Sequence, residues 1–313
     1  MVSSPISPNF CERVWAGWRM KVKVILNPYA NRWRAGERLP EVEAALTAVG
    51  ITPDIAQTSG PGEGIALAVA AVSQGYDAVV AAGGEGTLNE VINGLVQAAG
   101  DGPTIPFGAL PLGSANDFCT AVNIPLDLTE AAQLIANGRT RQIDCGKINE
   151  RYFINTCAVA MEPMVTLEHI KIQRIKGEMR YVAAMLQALR KLRAWQMQVT
   201  WGDGGYDGPL YLLSICNGPR SGGFYMAPDA QVDDGLLDYV MAPEVSKLTV
   251  VNILLKLMRR SHIGHKDVVY GRSSRILIKS QPGTPAHADG EIISESLTAV
   301  ECVVLPGKVT LLA

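Results

Sequence analysis

The sequence predicts two domains: an N-terminal α/β domain with a doubly wound parallel sheet, and a C-terminal domain that is mainly an antiparallel β-sandwich. Over residues 20–143, short apolar runs alternate with stretches of helical periodicity, which is typical of a parallel sheet covered by helices. Over residues 144–313, β-rich runs follow one another, which favours antiparallel pairing. A chain of 313 residues is long enough to bury two cores.

The predicted elements of the first domain alternate along the chain. Apolar runs predict four strands, at Val22–Leu26, at Asp54–Gln57, and over residues 78–82 and 107–110. Helical periodicity predicts a helix that ends near Leu46 and helices over residues 65–73, 88–98 and 128–136. Ligands of such sheets bind beyond the carboxyl ends of the strands, so we expect the four loops that follow these strands to lie together.

Residues 1–19 precede the first patterned run and contain Pro5, Pro8, Glu12 and Arg13. They lack the apolar core of a signal peptide. We therefore expect residues 1–19 to be a disordered leader, or Met20 to be the natural start of the protein.

Strands dominate the second domain, interrupted by one basic stretch. Strands are predicted over residues 142–148, 152–159, 197–201, 210–216, 237–241, 275–278 and 298–305. Residues 171–193 contain seven Lys and Arg residues at helical spacing. The net charge elsewhere does not reinforce this stretch, so a solvated helix face is favoured over a membrane-surface role.

The composition excludes several classes of protein. The formal net charge of -2 and a hydrophobic content of 48% argue against disorder and against nucleic-acid binding. Six cysteines are scattered without a C-x-x-C pair, which favours reduced thiols in a cytoplasmic protein. No apolar stretch approaches the roughly 20 residues of a membrane-spanning helix, so any membrane contact is expected to be peripheral.

The most informative motif joins the third predicted strand to the helix that follows it. The turn contains three glycines, at positions 83, 84 and 86, and one acid, Glu85. Glycine allows backbone conformations that let amide N–H groups and a helix N-terminus converge on an anion, so the turn is predicted to bind phosphate. Thr87 and Glu90 form a capping-box pattern, which predicts that the helix begins at Thr87.

Other glycine motifs fit this turn less well. A dinucleotide fingerprint requires a third glycine where Asn89 stands, and a Walker loop requires Lys followed by Ser or Thr. The protein-kinase signatures are absent. A glycine turn that serves packing alone is the remaining alternative.

With these motifs in order, the chain resembles the diacylglycerol kinase catalytic family, in particular the bacterial soluble lipid kinases. Sphingosine kinases and NAD kinases are more distant relatives. The resemblance extends from Met20 to near the C-terminus and rests on five blocks in family order. The blocks are Gly83-Gly84-Glu85-Gly86-Thr87 with Asn89-Glu90-Val91-Ile92-Asn93-Gly94, Pro111-Leu112-Gly113-Ser114-Ala115-Asn116-Asp117-Phe118, Asn217-Gly218 with Gly222-Gly223, Ala227-Pro228-Asp229-Ala230 with Asp233-Asp234-Gly235-Leu236-Leu237-Asp238, and Asp289-Gly290-Glu291.

The resemblance implies a kinase in which ATP and a lipid meet in the cleft between the two domains. Glu291 would be the general base that deprotonates the lipid hydroxyl, with Asp289 beside it. Mg²⁺ would be held by carboxylates, of which Glu85, Asp117 and Asp144 are the candidates. The residues implied to bind the nucleotide are Asn27, Pro28, Asn31, Thr58, Gly83, Gly84, Glu85, Gly86, Thr87, Asn89, Ser114, Asn116 and Asp117.

The resemblance also implies a structural metal beside an Asp-Gly turn. Its ligands would be the side chain of Asp234 and the backbone carbonyls of Gln231 and Leu236, and oxygen ligands suit Mg²⁺ or Ca²⁺. An ordinary Asp-Gly turn is the alternative, because one carboxylate is a thin basis for tight divalent binding.

Three positions depart from the family pattern. The glycine turn normally carries Asp, whereas Glu85 extends the acid by one methylene, about 1.5 Å, so the metal geometry is expected to change. Ser114 stands where Thr is usual and keeps the hydroxyl. The loop after Asn27 lacks the customary glycine. Glu291 is retained, so we expect an active enzyme.

The predicted function is that of an ATP-dependent lipid kinase that converts diacylglycerol into phosphatidic acid. The expected partner is a lipid presented at a membrane surface, with the protein in the cytoplasm and peripheral at the inner membrane face. A homodimer through the second domain is left open. The alternatives are a kinase of phosphatidylglycerol or a sphingoid base, a soluble-substrate kinase similar to NAD kinases, and a non-catalytic nucleotide- or lipid-binding module.

His262 and His265 are spaced three residues apart, which could place both on one helix face. No third ligand is near in sequence, and the flanking Arg and Lys residues would repel a metal ion. A surface that meets anionic lipid headgroups is therefore favoured over a metal site.

Overall fold

A computed structural model of the protein describes residues 20–31, 33–171, 187 and 190–313. The predicted leader and most of the basic stretch over residues 171–193 lie outside the described residues. The chain divides into two compact units. The first contains the described residues up to Gly113, with Val122–Gln142 and Val309–Ala313, and the second contains Ser114–Ala121 and Ile143–Lys308. Two short segments, 114–121 and 309–313, thus lie on the other side of the boundary predicted after residue 143.

The described elements alternate at first and are mainly strands later in the chain. Those before the second unit's sheet are β1 (Val22–Leu26), α1 (Arg34–Glu37), α2 (Leu39–Ala48), β2 (Asp54–Gln57), α3 (Glu63–Ser73), β3 (Ala78–Gly83), α4 (Glu85–Ala99), β4 (Phe107–Pro111), α5 (Asp117–Ala121) and α6 (Leu128–Ala136). The later ones are β5 (Thr140–Ile148), β6 (Arg151–Phe153), β7 (Thr156–Ala160), α7 (Met161–Lys171), β8 (Trp195–Trp201), β9 (Gly204–Cys216), β10 (Arg220–Ser221), β11 (Phe224–Tyr225), β12 (Leu237–Pro243), α8 (Lys247–Met258), β13 (Val269–Ser273), β14 (Arg275–Ala288) and β15 (Glu291–Leu312).

The first unit contains the predicted parallel sheet. Its strands pair in the order β2-β1-β3-β4. All six residues of β3 are buried, as a continuous apolar run predicts for a strand covered on both faces. Leu311, near the end of β15, pairs in parallel with Phe107 of β4. The C-terminus therefore adds a strand segment to this sheet that no sequence pattern indicated.

The helix after the glycine turn begins two residues earlier than predicted. α4 starts at Glu85 with Gly84 as its N-cap and without a side-chain capping bond, so the predicted capping box is wrong. Glu90 instead accepts hydrogen bonds from the backbone N–H groups of Gly62 (2.7 Å) and Gly64 (2.9 Å). These groups lie at the start of α3, whose free N–H donors a carboxylate stabilises. Glu90, which was predicted to cap its own helix α4, therefore caps the neighbouring helix α3.

The second unit contains the predicted antiparallel β structure. β9 pairs with β7, β8 and β12, and β14 pairs with β7, β8 and β15, all antiparallel. Trp195, Phe153 and Leu213 are among the large side chains buried in the core that these strands form. The run over residues 152–159, predicted as one strand, is divided into β6 and β7.

Helix α8 was not predicted. It begins at Lys247, and the Oγ of its N-cap residue Ser246 accepts a hydrogen bond from the backbone N–H of Thr249 at 3.2 Å. The signal was missed because apolar residues occur on every side of the helix, so the sequence shows no distinct polar face.

The cysteines in the described part of the chain are five buried free thiols, in agreement with the predicted reduced state. Among the described helices, none is long and apolar enough to cross a membrane.

Candidate functional site

The first part of the candidate site is the edge of the parallel sheet at which its strands end. Backbone hydrogen bonds continue the pairing beyond the strands, from Asn27 N to Ala82 O (3.1 Å) and from Thr58 N to Leu26 O (2.9 Å). The loops that follow β1, β2 and β3 therefore lie side by side. This is the convergence that the strand order of a parallel sheet predicts.

The loop after β1 is shaped by its own side chains. The Oδ1 atom of Asn27 accepts a hydrogen bond from the backbone N–H of Tyr29 at 3.0 Å. The hydroxyl of Tyr29 donates to the carbonyl oxygen of Ser59 at 3.2 Å, which joins this loop to the loop after β2. Asn31 has a φ of 49°. Asn tolerates this left-handed conformation, which explains how the loop forms without the customary glycine.

The glycine turn between β3 and α4 depends on close backbone packing. A Cβ atom on Gly83 would lie 2.3 Å from Oγ1 of Thr87, and one on Gly84 would lie 3.3 Å from the Cα atom of Gly113. The backbone N–H of Leu112 donates to the carbonyl oxygen of Gly83 at 2.9 Å. The turn and the loop after β4 therefore touch through their backbones, which larger residues at these positions would prevent.

The glycine turn has the donors that a phosphate group requires. The Oγ1 atom of Thr87 is buried and makes no hydrogen bond within the described residues. α4 begins at Glu85 and is 15 residues long, so its N-terminal N–H groups and dipole favour an anion at this turn. Asn89 is different: its side chain is buried, and its Oδ1 accepts a hydrogen bond from Asn93 one helical turn later. The predicted phosphate site fits the turn itself better than it fits Asn89.

The block that contains Ser114, Asn116 and Asp117 lies in the second unit. Ser114 is exposed and Asn116 has a φ of 49°. Asp117 is buried, and its two oxygens accept hydrogen bonds from Arg220 Nε and from the backbone N–H of Gly223, both at 2.8 Å. Arg220 was not predicted, although it stands between Asn217-Gly218 and Gly222-Gly223, the two parts of one motif block. Its pairing neutralises the charge of Asp117.

Asp289 and Gly290 form a two-residue turn between β14 and β15. Their φ angles are 46° and 82°, and Ala288 pairs with Glu291, an arrangement typical of Asp-Gly hairpin turns. The buried carboxylate of Asp289 accepts hydrogen bonds at 2.9 to 3.0 Å from three backbone N–H groups. Those donors belong to Ile154, Asn155 and Thr156. Asp289 therefore holds the hairpin against the segment between β6 and β7.

Glu291 follows this turn as the first residue of β15. Its side chain is 36% exposed, and its Oε2 accepts a hydrogen bond from Arg151 Nη2 at 3.0 Å. The carboxylate is therefore oriented by a cation and remains open to solvent on part of its surface, as a general base requires. Arg151 was missed because 140 residues separate it from Glu291 and no local pattern connects them.

A buried polar network behind the hairpin was also missed. Glu162 accepts hydrogen bonds from the hydroxyls of Ser214 and Ser221, and its Oε1 lies 3.5 Å from His287 Nε2. His287 Nδ1 in turn accepts from the backbone N–H of Gly290 at 3.3 Å. Burial raises the pKa of Glu162, but the nearby His287 ring and the hydrogen bonds from the two hydroxyls outweigh burial and hold that pKa below its ordinary value.

Glu162 and Ser221 also form a polar part of the wall of an apolar pocket. The pocket lies among α7, β9, β12 and α8, within the second unit. Its apolar lining includes Met161, Val165, Leu212, Val240, Leu254 and Leu257. The pocket therefore combines a hydrophobic lining with a carboxylate that lies next to His287, which contacts the hairpin of the proposed base.

His262 lines the same pocket and is not a surface residue. It is buried, and its Nε2 donates a hydrogen bond to the carbonyl oxygen of Met226 at 2.8 Å. Burial lowers the pKa of His262, which favours the neutral ring. The predicted contact of His262 with lipid headgroups is therefore wrong.

The residues predicted to hold a structural metal form a hydrogen-bonded turn. Asp234 Oδ1 accepts from the backbone N–H of Leu236 at 3.0 Å, and its Oδ2 lies 3.7 Å from Arg272 Nη1. The described residues contain no group of three or more His, Cys, Asp and Glu side chains placed to hold a metal. The predicted set, with Asp234 as its one carboxylate and carbonyls from Gln231 and Leu236, fits a cation poorly because a guanidinium already lies beside that carboxylate.

Asp144 supports the same turn. Its Oδ2 accepts from the backbone N–H of Gly235 at 2.7 Å, and its Oδ1 accepts from that of Gly307 at 2.8 Å. Both oxygens therefore bind backbone groups in the second unit. This arrangement assigns Asp144 to the support of the turn.

Comparisons with known proteins agree with both units. The family model described as the diacylglycerol kinase catalytic domain matches residues 21–148, and the model described as the YegS C-terminal NAD kinase beta sandwich-like domain matches residues 158–313. Diacylglycerol kinases of Staphylococcus saprophyticus and Staphylococcus epidermidis are each 30% identical to this chain over 277 residues. These alignments cover 87% of this chain and 89% and 86% of the two relatives.

A solved structure of a Bacillus anthracis protein has the same fold. It superimposes with a TM-score of 0.76 at 23% sequence identity, and the match covers 93% of this chain and 96% of that chain. A second solved structure from the same organism gives a TM-score of 0.70 at 21% identity, with the same coverage of both chains.

Proposed function

Because this chain belongs to the diacylglycerol kinase catalytic family, we propose that it transfers the γ-phosphoryl group of ATP to a hydroxyl of diacylglycerol and so forms phosphatidic acid. The match to the diacylglycerol kinase catalytic domain, together with the diacylglycerol kinases that are 30% identical over most of the chain, carries the reaction class. A kinase of another lipid alcohol, such as phosphatidylglycerol or a sphingoid base, is the nearest alternative. The protein would act in the cytoplasm on a lipid of the inner membrane face.

In this proposal ATP binds at the glycine turn of the first unit. The N–H groups at the start of α4 and the unpartnered hydroxyl of Thr87 donate hydrogen bonds to phosphate oxygens. Asn27, Pro28 and Thr58 line the adjacent sheet edge. Mg²⁺ bound with ATP would neutralise phosphate charge, and Glu85 is the acid placed in the turn to hold it.

The second unit supplies the base. Glu291 accepts the proton of the lipid hydroxyl as that oxygen attacks the γ-phosphorus and the bond from phosphorus to the ADP oxygen breaks. Arg151 orients the Glu291 carboxylate through the contact at 3.0 Å. Asp289 acts as a positioning residue, because its carboxylate already accepts three backbone hydrogen bonds that hold the turn before Glu291.

The apolar pocket of the second unit favours a lipid acceptor over NAD. Burial of an acyl chain against its hydrophobic lining contributes about 0.8 kcal/mol per methylene, whereas NAD has no comparable hydrocarbon part. Glu162, in the pocket wall, is connected through His287 to the hairpin that carries Glu291. A tail in this pocket would thus bind in the same unit as the proposed base.

The test is transfer of radiolabelled γ-phosphate from Mg·ATP to micellar diacylglycerol, phosphatidylglycerol and sphingosine, and to soluble NAD. We expect label in diacylglycerol, a decrease of at least 100-fold for Glu291→Gln, and unchanged ATP binding in that variant. The matched control is Glu150→Gln, which changes a side chain that is 93% exposed, and it should retain activity.

Three results would contradict parts of this proposal. Wild-type turnover in Glu291→Gln would exclude Glu291 as the base. Label in NAD alone would exclude a lipid acceptor. ATP binding without transfer to any acceptor, followed by a large gain of activity in Glu85→Asp, would show that Glu85 has disabled the site and would favour the non-catalytic alternative.

A further inference from the structure

The outer face of α8 carries a cluster of exposed hydrophobic side chains. Leu248 is 84% exposed, Met258 60%, Leu255 52% and Val251 48%. The described chain has nine exposed large hydrophobic residues, and four of them lie on this 12-residue helix. Scattered exposed hydrophobic residues are ordinary, whereas a contiguous set on one helix marks an interaction surface.

The four side chains form one stripe along α8. At about 100° per residue they lie within an arc of about 80° on the helix surface. By the same geometry, Lys247 and Lys256 border the stripe on its two sides. The opposite face of the helix is also hydrophobic, because Val250, Ile253 and Leu257 line the apolar pocket. α8 therefore has one hydrophobic face toward the pocket and a second one toward solvent.

Between Glu244 and Asp267, the charged residues of α8 and of the turn that follows it are all basic. Residues 245–266 contain five Lys and Arg residues and neither Asp nor Glu, although the whole chain has 28 basic and 30 acidic residues. A hydrophobic stripe bordered by cations is the pattern of helices that lie in the interface of anionic membranes. A two-fold contact with a second copy through α8 would bring like charges together, which disfavours that occupant.

We propose that α8 docks the protein on an anionic lipid bilayer. The stripe of Leu248, Val251, Leu255 and Met258 inserts at the level of the upper acyl chains, and the cations of residues 245–266 contact the lipid headgroups. The inference rests on the proposed function, because diacylglycerol, the proposed substrate, lies in a bilayer. The docked helix would place the wall of the apolar pocket next to the membrane from which the lipid comes.

The test is co-sedimentation of the purified protein with phosphatidylcholine vesicles, with and without phosphatidylglycerol, in the absence of ATP. We expect the double variant Leu248→Gln, Leu255→Gln to lower the vesicle partition coefficient by about 10-fold to 100-fold. Lys247→Gln and Lys256→Gln should each lower binding by about 5-fold on anionic vesicles and leave binding to neutral vesicles unchanged.

The matched control is the double variant Leu126→Gln, Leu277→Gln. It removes the same number of exposed leucines, 55% and 38% exposed, from other parts of the chain than α8, and should bind vesicles like the wild type. Equal binding by all variants would overturn the proposal. So would a stable dimer in sedimentation velocity that the α8 variant abolishes, because a second copy would then cover the stripe.

Failure of the docking surface and failure of the proposed function can be separated. Vesicle binding is measured without nucleotide, so it does not depend on phosphoryl transfer. If the proposed function is right, the α8 variant should retain wild-type activity on a short-chain diacylglycerol dispersed as monomers and lose activity on vesicles. Vesicle binding without transfer to any lipid would refute the proposed function and leave the docking surface intact.

Discussion

The two turns of the candidate site are built in opposite ways. The glycine turn after β3 is made by residues close in sequence, and Thr87 occupies the space that a side chain at Gly83 would need. The hairpin turn before Glu291 is held by Asp289, whose hydrogen-bond donors lie 133 to 135 residues earlier in the chain. The first turn is therefore recognisable as a local motif, whereas the support of the second exists only in the folded chain.

This difference indicates what each turn does. The glycine turn leaves donors available at a helix N-terminus, which suits the binding of a ligand. In the hairpin turn, the Asp289 carboxylate accepts hydrogen bonds from three backbone N–H groups, which suits the precise placement of the next residue. A substitution in the first turn should therefore affect nucleotide binding, and one in the second should affect stability and the position of Glu291.

The largest effect is expected for Asp289→Ala. It leaves three backbone N–H groups of the segment 154–156 without their acceptor, which should lower the free energy of unfolding of the second unit by about 4 kcal/mol. Urea denaturation followed by tryptophan fluorescence measures this change, since Trp195 lies in the core of that unit. Asp203→Ala, at an exposed turn, is the control. A loss below about 1 kcal/mol would show that Asp289 does not hold the hairpin.

A smaller effect, confined to the other turn, is expected for Gly83→Ala. The added Cβ would lie 2.3 Å from Thr87 Oγ1, so the turn must shift, at a cost of about 3 kcal/mol, and ATP affinity should fall. Thermal unfolding and a nucleotide titration give the two values. Gly102→Ala is the matched control, because its nearest neighbour would be at 3.7 Å. Unchanged ATP affinity in Gly83→Ala would remove the glycine turn from the nucleotide site.

The smallest effect is expected for Glu162→Gln, and it depends on pH. A carboxyl with a pKa below its ordinary value of 4.5 stabilises the fold above that pH, and the contribution disappears as the pH falls through the folded-state pKa. We expect the variant to be less stable by about 2 kcal/mol at pH 7 and to approach the wild type in acid. The stability difference is measured from denaturation midpoints between pH 7 and acid pH. The control is Glu130→Gln, at an exposed position. A difference independent of pH would contradict the ionised state of Glu162.

Much of the fold was predictable because it is encoded locally. The strand Asp54–Gln57 and the helix Leu128–Ala136 have the predicted bounds, and the parallel order of the first four strands follows from alternating strand and helix patterns. The family prediction is confirmed by the two matching models and by relatives at 30% identity. These features depend on short runs of residues that carry their own signal.

Several of the wrong or missing predictions share one cause, which is a partner distant in sequence. The spacing of Thr87 and Glu90 fits a capping box within α4. In the structure Glu90 caps α3 instead, because the backbone N–H groups of Gly62 and Gly64 lie within its reach. His262 is flanked by cations in sequence but is buried against Met226. Arg151 and Arg220 find their carboxylates across the second unit.

By itself, the sequence identified the family, predicted a phosphate site at the glycine turn and named the proposed base. These features depend on residues that are adjacent in the chain: the glycines of the turn, the start of the helix after it, and the Asp-Gly-Glu block. They can therefore be recognised in the sequence alone. Only the tertiary structure decided that Asp289 is an anchor, that Glu162 and His287 support the hairpin, and that α8 exposes one hydrophobic face while its other lines a pocket. These roles arise from burial and from long-range hydrogen bonds, which exist only after distant segments have packed together.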